Sequence, residues 1–309
     1  MKKTGIAIHG GAGTILKSQM SSELEKNYLR GLKTALEAGY EILEKGGNSV
    51  DAVEKAVVEL ENNPLFNAGK GSVFTNTGKH EMDASIMNGK NLEAGSVCCV
   101  KEIKNPIELA RKIMEESEHV MLTGDGALDF AKLVNCKTED ENYFFDDFRH
   151  KQWLEIKDTD KFQLDHSKKT PPEKFGTVGA VARDKNGNLA AATSTGGMTN
   201  KKFGRIGDSP IIGVGNYANN STCAISCTGS GEYFLRAVVA YDVSSMMEFG
   251  GLNLEEACNK VIHDRLLIIG GDGGLIAIDQ NGNIQLPFNT EGMYRAAMDN
   301  KGLYKVEIY

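Results

Sequence analysis

Several features that would indicate other classes of protein are missing from this sequence. No run of apolar residues approaches the ~20 that a membrane-spanning helix needs. The net charge is −7 and there is no basic cluster, which argues against a nucleic-acid-binding surface and against docking to an anionic membrane. The apolar stretch after Lys2 and Lys3 ends at His9, which is too short for the core of a signal peptide. We therefore expect a cytoplasmic protein.

Familiar metal, redox and nucleotide motifs are missing as well. None of the six cysteines has CxxC spacing, and the adjacent Cys98 and Cys99 cannot readily bridge one another, so buried reduced thiols are the favoured interpretation. The P-loop pattern GxxxxGK[ST] is absent. None of the six histidines lies in a recognisable Ser/His/Asp arrangement, and a structural role is favoured for His9.

Glycine is abundant, with 35 in 309 residues against a typical ~7%. The chain is long enough for one large α/β domain or two closely packed halves. Helical and extended patterns follow one another as helices, strands, a polar segment, strands, helices and strands. This order predicts an α+β fold in which mostly antiparallel sheets are packed between helices, rather than a doubly wound fold.

Local signals predict the individual elements. A buried strand at Gly5–His9 should end in a glycine-rich turn at 9–13. A capping box at Ser22–Glu25 should open a helix to about Lys45, and Ser49 should cap the next helix. Further strands are predicted at 73–75, 81–87 and 94–101, and further helices at 105–114, 232–249 and 253–267.

Residues 137–173 interrupt these patterns. The segment is hydrophilic and ends in Thr170-Pro171-Pro172, although residues 147–156 have a helical pattern. We predict a mobile linker here.

A hairpin is predicted immediately after this linker. If Asn186-Gly187 forms a two-residue turn, each cross-strand pair of residue numbers sums to 373, and Thr177 lies opposite Gly196 and beside Thr195. Threonine is also simply a common strand residue, so the spacing alone leaves both interpretations open.

The junction Gly176-Thr177 marks the change from linker to ordered strand, which makes it a plausible cleavage point. Cleavage there would give Thr177 a free α-amine, whose ordinary pKa is about 7.7–8.0. Such an amine can act as the base toward its own hydroxyl at neutral pH, without a histidine or lysine.

Two glycine-rich loops could serve such a nucleophile. Thr228–Glu232 opens a helix, where unpaired N–H groups could form an oxyanion hole or simply cap the helix. In Gly204–Pro210, Arg205 could hold a carboxylate and Asp208 an ammonium group, or the two could form a mutual surface ion pair.

Long blocks of sequence carry a more specific signal. They are Ile6–Gly13, Asn63–Gly69, Glu81–Met87, Gly176–Ala182, Thr193–Gly197, Gly204–Pro210 and Thr228–Glu232. In this order they resemble the plant-type (type III) asparaginases, also called isoaspartyl aminopeptidases or β-aspartyl peptidases, of the N-terminal nucleophile (Ntn) hydrolases. The resemblance runs from Ile6 to about Met298 and is weak only in the linker.

The resemblance implies a four-layer αββα sandwich of two mainly antiparallel sheets, as a single domain over residues 1–309. It implies self-cleavage between Gly176 and Thr177 into an α subunit, 1–176, and a β subunit, 177–309. These pairs would assemble as a dimer of αβ heterodimers.

It also implies roles for individual residues. Thr177 would be the nucleophile, Thr195 would tune its hydroxyl and amine, and Thr228 with the Gly229 N–H would form the oxyanion hole.

The same resemblance supplies the binding residues. Arg205 would hold the substrate α-carboxylate, and Asp208, helped by the Gly231 backbone, the α-ammonium group. Asn67 would lie near the nucleophile. A sodium ion would be held by main-chain carbonyls of the loop residues Leu60, Glu61, Asn63, Phe66, Ala68 and Lys70.

The implied activity is hydrolysis of isoaspartyl peptides and of L-asparagine to L-aspartate, with no redox cofactor and no catalytic divalent metal. No nucleic acid or membrane partner is expected. The alternatives are a glycosylasparaginase-like enzyme, a taspase-like endopeptidase and a non-catalytic scaffold. The missing signal peptide disfavours the glycosylasparaginase-like enzyme, and the amino-acid clamp disfavours the endopeptidase. The intact site residues disfavour the scaffold.

Overall fold

The computed structural model describes residues 3–158 and 176–309, and within these ranges the chain forms twelve strands. The strands are β1 (Gly5–Gly13), β2 (Met82–Asn88), β3 (Ala94–Val100), β4 (Met121–Thr123), β5 (Val178–Arg183), β6 (Leu189–Thr195), β7 (Asn216–Ala218), β8 (Cys223–Gly229), β9 (Gly273–Asp279), β10 (Ile284–Gln285), β11 (Gly292–Asp299) and β12 (Tyr304–Glu307).

The helices lie before, between and after these strands. They are α1 (Ser22–Glu44), α2 (Ser49–Glu61), α3 (Pro106–Glu116), α4 (Gly124–Leu133), α5 (Glu141–Phe144), α6 (Asp147–Ile156), α7 (Gly231–Ala237), α8 (Val239–Glu248), α9 (Leu254–Asn259) and α10 (Leu266–Ile268). Short 3-10 turns occur at Lys17–Gln19 and Gly69–Gly71, and a π-helical segment, Lys260–Arg265, joins α9 to α10.

The strands form two sheets that face each other. The larger has the order β12-β11-β1-β5-β6-β2-β3-β4 and the smaller the order β10-β9-β8-β7. All neighbouring strands are antiparallel except β3 and β4. With helices on both outer faces, this is the predicted αββα sandwich, and the fold class is confirmed.

Three apolar layers hold the sandwich together. One lies between α1–α3 and the larger sheet, a second between the smaller sheet and α7–α10, and a third, rich in alanine, between the two sheets. Strands β5 and β6 are therefore buried on both faces, which explains why their sequences, apart from Arg183 at the end of β5, are continuously small or apolar instead of alternating. Small side chains in the middle layer allow the sheets to approach closely.

Two helices begin differently from the prediction. Ser21, not Ser22, caps α1, because its side chain accepts the Leu24 N–H at 3.2 Å. Asn48, not Ser49, caps α2 and accepts the Asp51 N–H at 2.8 Å. In both places neighbouring residues were suitable caps, so the sequence left the choice between them open.

The first strand does not stop at His9. It continues to Gly13 with a bulge between His9 and Gly11, so the predicted turn at 9–13 is wrong. Pairing with β11 continues through the glycines, and Gly11, at φ +116°, takes up the bulge. The predicted strand at 73–75 is also wrong, since these residues lie in a loop.

The hairpin β5–β6 has a different register from the predicted one. The residue numbers of each cross-strand pair sum to 372, as for Val178 opposite Ser194, and not to 373. Asp184 and Asn188 close a longer turn in which Gly187 has φ +92° and the Asp184 carboxylate accepts two main-chain N–H groups. The positive φ at glycine and the aspartate bonds favour a bulged three-residue turn over a two-residue turn.

The two long C-terminal helices are not continuous. Val238, at φ +51°, separates α7 from α8 within the predicted helix 232–249. The predicted helix 253–267 contains the π-helical segment Lys260–Arg265. The hydrophobic periodicity shows neither irregularity, because both preserve the buried face.

The first part of the predicted linker folds onto the body. Helices α5 and α6 lie within it, Arg149 is buried, and Trp153 stacks on Phe74 with ring centroids 5.9 Å apart. Aromatic side chains dispersed in a polar segment supply this contact, which the composition alone does not reveal. The remainder of the linker prediction, 159–173, lies outside the described residues.

The six cysteines fall within the described residues as free thiols. Cys98, Cys223, Cys227 and Cys258 are buried as predicted, but Cys99 and Cys136 are partly exposed, so the prediction of buried thiols is wrong for these two.

None of the helices in the described part of the chain combines the length and apolar character that crossing a bilayer requires.

Candidate active site

Thr177 lies immediately before β5, in the middle of the larger sheet. The side chain is buried, and its Oγ1 lies 3.0 Å from Ser209 Oγ. Since β5 is paired on both sides, with β1 and β6, the position of Thr177 is well determined by the sheet. A hydroxyl directly before a strand that is paired on both sides suits a nucleophile.

The Gly176–Thr177 bond, which is predicted to be cleaved, lies between Gly11 and Thr228. On one side is Gly11, where a Cβ atom would come within 2.6 Å of the Gly176 nitrogen. On the other is Thr228, whose Oγ1 would lie 2.9 Å from a Cβ on Gly176. Thr228 is fully buried, and its Oγ1 also accepts the Ala12 N–H at 3.3 Å. The Thr228 hydroxyl is therefore beside the Gly176–Thr177 junction, where the oxyanion role was predicted.

The Gly11 contact leads to a prediction. We expect Gly11→Ala to slow cleavage at Gly176 by ~10-fold or more, because the methyl group would displace the junction and residue 11 has φ +116°. The measurement is the uncleaved fraction by mass spectrometry over time. Gly302→Ala is the matched control, since Gly302 has φ +101° but nothing within 4 Å. Equal rates for the two variants would contradict the prediction.

Thr195 lies at the end of β6. Continuing the observed register places it, instead of Gly196, across from Thr177. Its Oγ1 accepts the Gly197 N–H at 2.9 Å, which shapes the turn beyond the strand. The observed register therefore places Thr177 and Thr195 directly across from each other, whereas the predicted register offset them by one residue.

Asn67 secures the same turn. Its Nδ2 donates to the Gly197 carbonyl at 2.7 Å, and its main-chain carbonyl accepts the Gly196 N–H at 3.0 Å. Its Oδ1 accepts the Val73 N–H at 3.1 Å. Asn67 thus fastens the loop after α2 to the turn that follows Thr195.

The predicted amino-acid clamp does come together. A Cβ on Gly231 would lie 2.8 Å from Asp208 Oδ1 and 2.9 Å from Arg205 Nη2, so both charged groups meet at this glycine. Arg205 does not pair with Asp208; its Nε and Nη2 donate to the two carboxylate oxygens of Glu232, both at 2.9 Å. The alternative of a mutual Arg205–Asp208 surface pair is therefore wrong.

Asp208 is electrostatically unusual. Its Oδ2 is buried without a hydrogen-bond partner among the described residues. Burial raises the pKa of Asp208 to about 7, and the nearby Arg205 opposes this rise. A buried carboxylate with an unused oxygen is well suited to receive an ammonium group.

Comparison with known sequences identifies the family of the chain. A sequence model of the family described as asparaginase matches residues 1–308. The chain belongs to the asparaginase family. This match confirms the resemblance inferred from the motif blocks.

Individual members of the asparaginase family are close in sequence. An isoaspartyl peptidase of Escherichia coli is 52% identical over 298 residues, covering 96% of this chain and 93% of that protein. An isoaspartyl peptidase of Salmonella typhimurium is 51% identical, with 96% and 95% covered. A plant-type L-asparaginase of Pyrococcus abyssi is 43% identical, with 95% of each chain covered.

The loop for which the asparaginase resemblance predicts a sodium ion lies between α2 and β2. Among the described residues there is no group of three or more His, Cys, Asp or Glu side chains able to hold a metal ion. A Cβ on Gly69 would lie 2.6 Å from the Glu61 carbonyl oxygen, and one on Gly71 would collide with the Phe66 carbonyl oxygen. Carbonyl oxygens thus crowd this turn, and hard oxygen donors fit a monovalent cation.

The Glu61 side chain is engaged elsewhere. It is fully buried and accepts hydrogen bonds from Ser194 Oγ at 2.6 Å, from Asn105 Nδ2 at 3.0 Å and from the Ile107 N–H at 3.0 Å. Burial raises its pKa to about 8, and these hydrogen bonds oppose the rise. The Glu61 carboxyl group therefore fastens the loop to β6 and α3.

Three residues of the site received no catalytic or binding role from the sequence. Ser209 and Glu232 stand inside two of the motif blocks, next to residues that were assigned, so the blocks themselves were the available signal. His9, given a structural role, contacts the Thr177 carbonyl. No spacing rule could connect His9 with Thr177, because they are 168 residues apart.

Proposed function

We propose that this protein cleaves its own Gly176–Thr177 bond and that Thr177 of the mature enzyme hydrolyses isoaspartyl peptides and L-asparagine to L-aspartate. One observation carries the proposal. The hydrogen bond between the Thr177 and Ser209 hydroxyls places the nucleophile beside Ser209, which follows Asp208 directly in the chain. A substrate whose α-ammonium group is held at Asp208 can therefore present its side-chain carbonyl to Thr177, and the names of the relatives support this substrate class.

Self-cleavage begins with attack of the Thr177 hydroxyl on the Gly176 carbonyl carbon. A C–O bond forms as the C–N bond breaks, the hydroxyl proton passes to the departing nitrogen, and water hydrolyses the resulting ester. This yields a carboxylate on Gly176 and a free amine on Thr177. The Thr228 hydroxyl, beside Gly176, is the donor that supports the oxyanion.

In turnover, the Thr177 hydroxyl attacks the substrate carbonyl carbon, and the Thr177 amine accepts the proton of this hydroxyl. Arg205 holds the α-carboxylate and Asp208 the α-ammonium group, while Thr228 and the Gly229 N–H support the oxyanion. Ammonia or an amine leaves with a proton, and water then hydrolyses the β-aspartyl ester. No redox cofactor takes part in this scheme.

The sheet order supports the proposal that the two subunits, 1–176 and 177–309, remain together after cleavage. Strand β1 of the first lies between β11 and β5 of the second, and β6 of the second pairs with β2 of the first. Separation would break hydrogen bonds along several strands in the middle of the larger sheet. We further propose a dimer of such pairs, which a solution mass of twice 33.5 kDa would support.

We also propose that the loop Leu60–Lys70 binds sodium through main-chain carbonyls and that this stabilises the fold around Asn67. Replacing sodium with choline at constant ionic strength should then lower the melting temperature, since a ligand bound only by the folded state stabilises it. Calorimetry in the two salts measures this. An unchanged melting temperature would contradict the proposal.

The direct test of the function combines mass spectrometry, N-terminal sequencing and product analysis. We expect two fragments, one beginning Thr177-Val178-Gly179, and release of L-aspartate from an isoaspartyl dipeptide. A single chain that stays intact and inert toward the dipeptide would overturn the proposal. A cytoplasmic location stays a prediction, which cell fractionation would test.

A further inference from the structure

His9 is a buried titratable residue that the mechanism above does not use. It lies on β1 and is fully buried between the two sheets. Its Nδ1 is 3.0 Å from the Thr177 main-chain carbonyl oxygen, and its Nε2 is 2.8 Å from Ser226 Oγ. Both ring nitrogens therefore have a single, well-defined partner.

The partners determine the protonation of the ring. A carbonyl oxygen can only accept, so Nδ1 carries the hydrogen and Nε2 accepts from the Ser226 hydroxyl. Burial lowers the pKa of His9 to about 3, and the bond to Thr177 opposes this fall. The ring is thus neutral near neutral pH and is held in one tautomer.

The surrounding strands are built around this contact. Gly179 is directly opposite His9 in the β1–β5 pair, and a Cβ there would collide with both the ring and Ser226. Beyond the ring, Ser226 Oγ lies 2.7 Å from Thr193 Oγ1, so the hydrogen bonds continue across to β6. His9 therefore links both sheets beneath the nucleophile.

We propose that His9 is a positioning residue that orients the nucleophile by donating a hydrogen bond to the Thr177 carbonyl. This inference depends on the proposed function, in which Thr177 becomes a chain terminus. After cleavage no residue precedes Thr177, and regular strand pairing starts only with Val178. The bond from His9 then restricts rotation of the terminal residue, which carries both the attacking hydroxyl and the amine.

Two substitutions separate this role from simple packing. His9→Asn can place an amide N–H near the Nδ1 position and keep the bond to Thr177. His9→Gln can reach Ser226 but not donate in the same place. We expect kcat of the cleaved His9→Gln enzyme to fall ~100-fold with KM nearly unchanged, since small misplacements of reacting groups cost about this much. His9→Asn should retain kcat within ~10-fold of the wild type.

The matched control is Ser244→Ala. It removes another buried hydroxyl pair, Thr222 with Ser244 at 2.6 Å, which does not contact Thr177. We expect it to change stability but not kcat. Equal loss of kcat in both His9 variants, in parallel with their melting temperatures, would overturn the proposal, as would a change confined to KM.

A second measurement needs no substitution. Nitrogen chemical shifts of the His9 ring in the intact enzyme should show a protonated Nδ1 and an unprotonated Nε2. The opposite tautomer would overturn the proposal. Cleavage and turnover of the wild type, recorded in the same experiments, report separately on the proposed function.

Discussion

Thr177→Ala is expected to remain a single uncleaved chain and to lose about six orders of magnitude in kcat, the scale seen when a catalytic nucleophile is removed. The same hydroxyl performs both reactions in our scheme, so one substitution should abolish maturation and turnover together. Mass spectrometry and aspartate release from an isoaspartyl dipeptide measure the two effects. Because Thr177 is a buried residue just before β5, the fold should persist, and circular dichroism should be unchanged.

Thr177→Ser is the informative control for this variant. Serine keeps the hydroxyl and, after cleavage, the amine, so we expect slow but complete processing and measurable turnover. Cleavage of Thr177→Ala at the same junction would show that another group attacks Gly176. Normal activity of an uncleaved Thr177→Ala chain would contradict both the need for self-cleavage and the role of Thr177 as nucleophile.

The second large effect is expected at Asp208. Asp208→Asn should lower kcat/KM by roughly 30- to 1,000-fold, since removing one member of a desolvated charge pair costs about 2–4 kcal/mol. The substrate ammonium group binds the ionised carboxylate, and the Asp208 pKa is raised to about 7 by burial. For the wild type, kcat/KM should therefore rise as Asp208 ionises near pH 7 and rise further as the Thr177 amine loses its proton. In the variant, this dependence on Asp208 should disappear, leaving only the titration of the Thr177 amine.

The pH dependence of the stability that Asp208 contributes should be opposite to that of kcat/KM. An acid whose pKa is raised by folding binds more protons in the folded state between its unfolded value, 3.8, and about 7. Stability contributed by this group therefore decreases as pH rises through that window, and the loss is complete above it. Asp208→Asn should melt at a higher temperature than the wild type at pH 8, with little difference at pH 4. An activity loss accompanied by a lower melting temperature at pH 8 would instead indicate general unfolding.

The ion pair between Arg205 and Glu232 limits which N–H groups of Arg205 a substrate carboxylate can reach. Glu232 already occupies the Nε–Nη2 edge of the guanidinium, so a substrate carboxylate must use the remaining N–H groups or displace Glu232. Since Glu232 is half exposed, this pair is an accessible part of the clamp, whereas Asp208 is not. We therefore expect the larger and more pH-dependent effect at Asp208.

Much of the site was predictable because the residues lie in short blocks with fixed local geometry. Thr177 stands at the change from a polar segment to an apolar strand, and Arg205 and Asp208 stand in one glycine-bounded loop. Local sequence could not decide the hairpin register, because it depends on whether Asp184 closes a two-residue or a longer turn. It also could not show that residues 141–156 fold back, since that depends on the contact between Trp153 and Phe74.

The sequence by itself predicted most of the helices and strands, an α+β class with sheets packed between helices and, through its motif blocks, Thr177, Arg205 and Asp208 as candidate residues of the site. Each follows from periodicity, from turn chemistry or from a contiguous block. Only the tertiary structure decided that Arg205 pairs with Glu232, that Ser209 meets Thr177 and that His9 holds the Thr177 carbonyl. These contacts join residues far apart in the chain, and their geometry is set by how the two sheets pack, which no local pattern encodes.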